Sequence, residues 1–234
     1  ELLAALVTFF RSVGLTEQQV QIRISNRRLL QSVLAAAGVG EDLFAPVCVL
    51  IDKLEKVPRE SIEEELSGLG VEASVIDRVL EVASCDSLAS ASKLAGEGDN
   101  GLSEITRLLE LADGYGVAEW LSFDGSLVRG LAYYTGIVFE AKAITGELHR
   151  AICGGGRYDR LLSTFGGKDL PACGFGFGDP VILEILKDLD LLPELAPGID
   201  DVVFAFDSSL RDPAMKVAAR LRQAGRSVDL VLED

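Results

Sequence analysis

What the sequence has least of bounds it first. Of 234 residues, four are cysteine, one is histidine (His149), one methionine (Met215) and one tryptophan (Trp120). Cys48, Cys85, Cys153 and Cys173 lie far apart and none forms a Cys-x-x-Cys pair. A disulfide framework belongs to short secreted chains that need stapling, which this is not. With one histidine, neither a Cys/His zinc site nor a histidine-based nucleophilic triad has the residues it needs. No metal ligands are assigned. Long apolar runs are missing too: runs such as 47–51 are strand-length, well short of the roughly 18 residues of a membrane span. No Gly-x-x-x-x-Gly-Lys-Ser/Thr occurs, which removes P-loop chemistry. Cations are scarce, 22 Lys+Arg against 37 Asp+Glu, for a net charge of −15. A surface so charged repels nucleic-acid phosphates on average.

What is present is globular. Hydrophobic residues make up 48% and charged residues 25%, too apolar for disorder. The length suits one large domain or one and a half ordinary ones. The chain starts at Glu1 inside a helical pattern and stops after a strand-like run at 227–232, so it reads as a fragment.

Apolar residues at spacings of three and four predict a helix over 1–13, stopped by Gly14. Alternation predicts a strand over 20–25, then Asn26 caps a helix over 27–37. From 41 to about 115 the texture is helical, with helices expected over 44–56, 59–66, 73–83 and 102–115. Ser61 and Glu64 have capping-box spacing. This helical module is set between strand-rich regions. Strands are expected over 120–123, 137–140 and 149–153, the last two as an antiparallel hairpin about Thr145-Gly146. A helix follows over 180–190 and a linker over 193–197. A buried-type strand over 201–206, a helix over 212–224 and a strand over 227–232 then read as the start of an α/β domain with parallel strands.

Three glycine- and aromatic-rich segments carry the chemistry: 127–140, 151–162 and 172–179. Arg129 lies beside Gly130, so its guanidinium is open to a carboxylate or phosphate. Tyr133 and Tyr134, if extended, point to opposite faces. Gly154, Gly155 and Gly156 permit close backbone approach, and Tyr158 adds a rigid hydroxyl. Gly174, Gly176 and Gly178 alternate, so they share one face and leave a flat floor on which a planar ring such as adenine could rest. Each segment also has a plain structural reading. Glycine strands allow tight packing, Arg157 and Arg160 can pair with Asp159, Asp124 suits a turn, and His149 suits the surface. Cys153 and Cys173, flanked by apolar residues, read as buried inert thiols.

Taken together, Arg-Gly-Leu-Ala-Tyr-Tyr-Thr-Gly at 129–136, Gly-Gly-Arg-Tyr-Asp at 155–159 and Ala-Cys-Gly-Phe-Gly-Phe-Gly-Asp at 172–179 resemble the signatures of histidyl-tRNA synthetases. These are class II aminoacyl-tRNA synthetases, and the wording is most similar to plant- or alga-type members. The resemblance covers essentially the whole chain. It implies an α/β (α+β) fold: a class II antiparallel sheet with helices, a helical insertion and the start of an α/β anticodon-binding domain. Residues 1–38 and 117–195 would be catalytic-domain parts, 39–116 the helical insertion and 199–234 the anticodon-binding start.

It further implies ATP with Mg2+ held through the phosphates, histidine, tRNA(His), a homodimer, and a cytoplasmic or organellar rather than secreted location. By resemblance Arg129 is catalytic, contacting the α-phosphate and the substrate carboxylate. Tyr133, Tyr134 and Tyr158 line the histidine pocket, with Glu140 a weaker candidate. Gly154, Gly155, Gly156, Gly174, Gly176 and Gly178 bind ATP or adenylate. Two departures stand out. Ala132 replaces an Asp of the signature, and Val181 takes the place of the motif 3 Arg that contacts ATP. Motifs 1 and 2 would lie before Glu1, so this chain alone is expected to form no adenylate. The alternative is a non-catalytic paralogue acting as a regulatory or structural subunit. The excess carboxylates gather in the helical module, at Glu60, Glu63, Glu64 and Glu65, which leaves tRNA contact to other surfaces.

Overall fold

The computed structural model describes residues 1–54, 56–95, 98–128, 133–145, 151–193 and 198–231. They form two compact units, Glu1–Leu192 and Pro193–Asp234.

The first unit opens with α1 (Leu2–Ser12), which buries Leu3, Leu6, Val7 and Phe10 along one face. Gly14, at φ +83°, ends it in the left-handed region. In β1 (Val20–Asn26) alternate residues Val20, Ile22 and Ile24 are buried. Asn26 closes the strand and caps α2 (Arg27–Ala37), its side chain accepting from the Arg28 N–H at 2.9 Å.

The helical module follows: α3 (Phe44–Ile51), α4 (Arg59–Gly68), α5 (Ala73–Ala83), α6 (Leu88–Ala95) and α7 (Asn100–Gly114). The first of these stops at Ile51, short of the expected 56. The Ser61/Glu64 capping box does not form, because α4 starts at Arg59 behind Pro58 and Ser61 lies inside the helix. α6 escapes the apolar pattern, since it buries only Ala91. α7 begins earlier than its apolar residues suggest, because Asp99 caps it by accepting from the Leu102 N–H at 2.8 Å. The module packs on α2 through α5, α6 and α7. Gly101 makes the last of these contacts possible: a Cβ there would collide with the backbone of Leu29.

The remaining strands are β2 (Leu121–Phe123), β3 (Ile137–Ala143), β4 (Ala151–Tyr158) and β5 (Ala172–Phe177), with α8 (Leu161–Thr164) and α9 (Asp179–Asp188) between and after. The sheet order is β2-β1-β3-β4-β5. β1, β3, β4 and β5 pair antiparallel, whereas β2 joins β1 in parallel. The sheet is thus the expected antiparallel one with a single parallel pairing, β1 to β2, at its edge. The chain leaves β1 and returns to β2 through the whole helical module, and such a crossover brings the second strand back in the same direction. Trp120, buried just before β2, stacks on Phe10 with ring centroids 6.0 Å apart.

In the second unit β6 (Asp201–Phe204) and β7 (Val228–Val231) pair in parallel, linked by α10 (Arg211–Gln223). β6 is not the buried strand its composition suggests. Val202 and Phe204 are more than half exposed, since alternate residues of a two-stranded sheet cannot all face the single helix that packs on it. Arg226 Nε meets Asp201 Oδ2 at 2.5 Å and holds that carboxyl below the usual carboxylate range.

Candidate active site

Strand register sorts the sheet into two faces, because residues opposite one another share a face. One face carries Ile22 opposite Ala141, Ile24 opposite Phe139, and then Gly155 opposite Phe175. It is apolar, and Phe177 at its far end touches Phe9 and Phe10 of α1. The other face carries Arg23 opposite Glu140, Glu140 opposite Gly154, and Gly154 opposite Gly176. Val138, Gly156 and Gly174 make the neighbouring row.

Charges on this second face are mutually held. Lys142 Nζ lies 3.2 Å from Glu140 Oε1, with both side chains largely buried. Arg23 reaches Asp124 at 3.1 Å. Asp124 is the turn residue its sequence suggests, its Oδ1 accepting from the N–H (2.9 Å) and hydroxyl (2.6 Å) of Ser126.

Three tyrosines stand beside the glycine rows. The rings of Tyr133 and Tyr134 lie 4.7 Å apart, and Tyr158 is 5.8 Å from the first and 6.3 Å from the second. Tyr133 and Tyr134 do not point to opposite faces as an extended segment would require. Tyr133 sits in a turn ahead of β3, which brings both rings to one cluster with Leu127 and Val138. The glycines explain how the rings fit. A Cβ on Gly156 would stand 2.9 Å from the Tyr134 ring, and one on Gly174 would strike the Tyr158 hydroxyl. The floor is thus not bare: tyrosines cover two of its positions, while the space over Gly176 is open. Gly155 faces the apolar side, where a Cβ would run into the Gly174 carbonyl and Phe175. Gly178 lies beyond β5 at the start of α9, its N–H bonded to the Ile152 carbonyl at 2.8 Å.

The turn at 133–136 is clamped from several sides. The Thr135 N–H donates to the Arg157 carbonyl at 2.9 Å. Its hydroxyl donates to Asp159 Oδ2 at 2.9 Å and accepts from the Asp159 N–H at 3.0 Å. Arg28 Nε donates to the Thr135 carbonyl at 3.1 Å, and the Arg27 N–H to the Gly136 carbonyl at 3.0 Å. Arg157 pairs with Asp159 at 2.9 Å. Arg160 instead lines a cleft of about 500 Å³ with Tyr133, Thr135, Leu161, Thr164 and Phe165, within the size range of small-molecule pockets.

Arg129 and Ala132 lie outside the described residues, as does His149. Just before them, Val128 is buried and its carbonyl accepts from Arg27 Nη1 at 3.5 Å. Val181 is partly buried against the apolar core. Cys153 is buried, but Cys173 is exposed, contrary to expectation. Its strand is the sheet's edge, so apolar neighbours in sequence give it no cover in space. Burial pushes the Cys48 thiol up to about 11. Among the described residues no group of three or more His, Cys, Asp or Glu is placed to hold a metal. Motif reading missed Arg23, Lys142, Arg28 and Glu104. The signal for the first was available, since Arg23 alternates with buried Ile22 and Ile24 and must face the glycine side.

Residues 1–178 match the family described as histidyl-tRNA synthetase. The chain is 50% identical over 233 residues to the chloroplastic/mitochondrial histidine–tRNA ligase of Arabidopsis thaliana, all of this chain aligning with 48% of that relative. It is 37% identical to the histidine–tRNA ligase of Opitutus terrae, aligning in full with 55% of it. The chain spans about half the length of the curated relatives it matches. Among solved structures, a histidyl-tRNA synthetase from Nostoc sp. superposes with a TM-score of 0.74 at 28% identity, covering 99% of this chain and 57% of that one.

Proposed function

The chain belongs to the histidyl-tRNA synthetase family, and from that premise we propose that the whole protein is a histidine–tRNA ligase. It joins histidine to ATP as histidyl-adenylate and passes the acyl group to tRNA(His). The observation that carries this reading is the convergence of Tyr133, Tyr134 and Tyr158 beside the paired glycines of β4 and β5.

The roles follow from chemistry. The tyrosine hydroxyls read the imidazole and amino groups of histidine, and a wrong side chain would leave them unpaired. Gly154 and Gly176, with open space over the latter, let a flat ring lie on the sheet. Gly155 and Gly178 serve that surface indirectly, the first by letting β4 and β5 approach, the second by starting α9. By the resemblance of its signature, Arg129 supplies the fixed cation that stabilises the charge growing when the histidine carboxylate attacks the α-phosphorus and pyrophosphate leaves. Mg2+ would be held through the ATP phosphates and would neutralise part of their charge. Residues 1–38 and 117–195 are catalytic-domain parts, 39–116 the helical insertion, and 199–234 the start of the anticodon-binding domain. The protein acts as a homodimer. By likeness to the Arabidopsis relative, it works in an organelle.

Val181 favours a second reading, a non-catalytic regulatory or structural paralogue, since no cation stands at that position. One measurement separates the two. The full-length protein should catalyse histidine-dependent ATP–pyrophosphate exchange, and Arg129→Ala should abolish it. No exchange by the folded wild-type protein overturns the ligase reading. The 234-residue segment alone is expected to give none.

A further inference from the structure

Glu104, on α7 of the helical module, takes no part in the chemistry above, yet it stands at a junction. Its Oε2 accepts from Asn26 Nδ2 at 2.7 Å, and its Oε1 pairs with Arg28. Asn26 is 1% exposed and fully engaged: Nδ2 also reaches the Gly101 carbonyl at 3.3 Å, and Oδ1 caps α2. Arg28 spreads one guanidinium over acceptors from three segments. Besides Glu104 these are the Thr135 carbonyl, 3.1 Å from Nε, and Asp159 Oδ2, 3.9 Å from the second terminal nitrogen. Thr135 and Asp159 are bonded to each other and directly follow, in sequence, Tyr134 and Tyr158.

An isolated surface ion pair contributes little. This one differs in what its cation holds. A planar fork hydrogen-bonded to Glu104 and to the Thr135 carbonyl, with Asp159 in ion-pair range, has its orientation set chiefly by those two bonds. Removing Glu104 frees the edge of Arg28 that faces α7, and the grip on the turn at 133–136 loosens with it. The close seat of α7 on α2, which Gly101 permits, makes that grip depend on the module being docked.

We propose that Glu104 is a positioning residue for the tyrosine pocket: through Arg28, the helical module fixes the Thr135 turn and Asp159, and so Tyr133, Tyr134 and Tyr158. The kinetic consequence rests on the reading of these tyrosines as the histidine pocket; the dynamic one does not. The test uses the full-length protein with Glu104→Gln, Arg28→Lys and the double variant.

In Glu104→Gln, amide exchange in the peptide covering 133–136 should quicken about tenfold while β3 and β4 stay protected. The KM for histidine should rise about tenfold, with kcat and the KM for ATP within about twofold. The double variant should be no worse than Arg28→Lys, since both act through one guanidinium. Unchanged exchange at 133–136 overturns the proposal, and so does an equal rise across the whole sheet. If Glu104→Gln proves too unstable to measure, Glu104→Asp, which keeps the charge but withdraws it, must give the same local loosening or the proposal fails. Local loosening in a protein whose wild type shows no histidine-dependent exchange would uphold the relay and sink the ligase reading instead.

Discussion

The two faces of the five-stranded sheet are made by the same strands and have opposite compositions. On one, Ile22, Ile24, Phe139 and Ala141 are buried against the core. On the other, Arg23, Glu140 and Lys142 give way to glycines overlain by tyrosines. Period-two geometry lets each strand serve packing and chemistry at alternate residues. Glycine shows the difference best. Gly155 is needed because β5 presses on it from the apolar side, whereas Gly176 has nothing over it. One glycine serves the fold, and the other leaves room for a ligand.

That contrast can be broken most forcefully at Gly155. Gly155→Ala puts a methyl group against the backbone of β5, which cannot step aside, so we expect a loss of about 3 kcal/mol or more in urea unfolding. Ile22→Ala, at a fully buried site, should cost about 3 kcal/mol through its cavity. The histidine KM of its folded fraction should stay unchanged; a raised KM would mean the faces are not independent. Gly176→Ala sharpens the comparison from the other side: with open space over it, stability should hold or rise by up to about 1 kcal/mol, while the KM for ATP rises about tenfold.

The smallest effects concern thiols. Ellman's reagent on the native protein at pH 8 should modify Cys173 readily and spare Cys48. The Cys48 thiol is raised from 9.0 to about 11 by burial, so folding favours its protonated form. Its contribution to stability is whole below pH 9 and is lost as pH rises through 11. Alkaline unfolding that sets in earlier than in Cys48→Ala would match that sign.

Periodicity placed most helices and the β3–β4 hairpin, because each is written in neighbouring residues. α6 was missed because its face is mostly alanine and serine, and the parallel β1–β2 pairing because nothing local encodes a strand's distant partner. The site was legible as motifs, not as geometry. The order Tyr133-Tyr134 suggests opposed side chains, and only the turn before β3 brings them together. Glu104 has no motif at all: its meaning lies in two residues almost eighty positions away, Asn26 and Arg28. Cys173 misled for the opposite reason, since apolar neighbours in sequence say nothing about standing at a sheet's edge.

The pairing of Ile22 with Leu121 has a consequence for how the chain reaches its fold. The two residues are about a hundred positions apart, and the entropy lost in closing such a loop grows with its logarithm. A module already collapsed on α2, with Gly101 seated on Leu29, shortens that search to the few linking residues. β2 would then join the sheet late and come away early, making it a natural reporter of whether the helices between have folded.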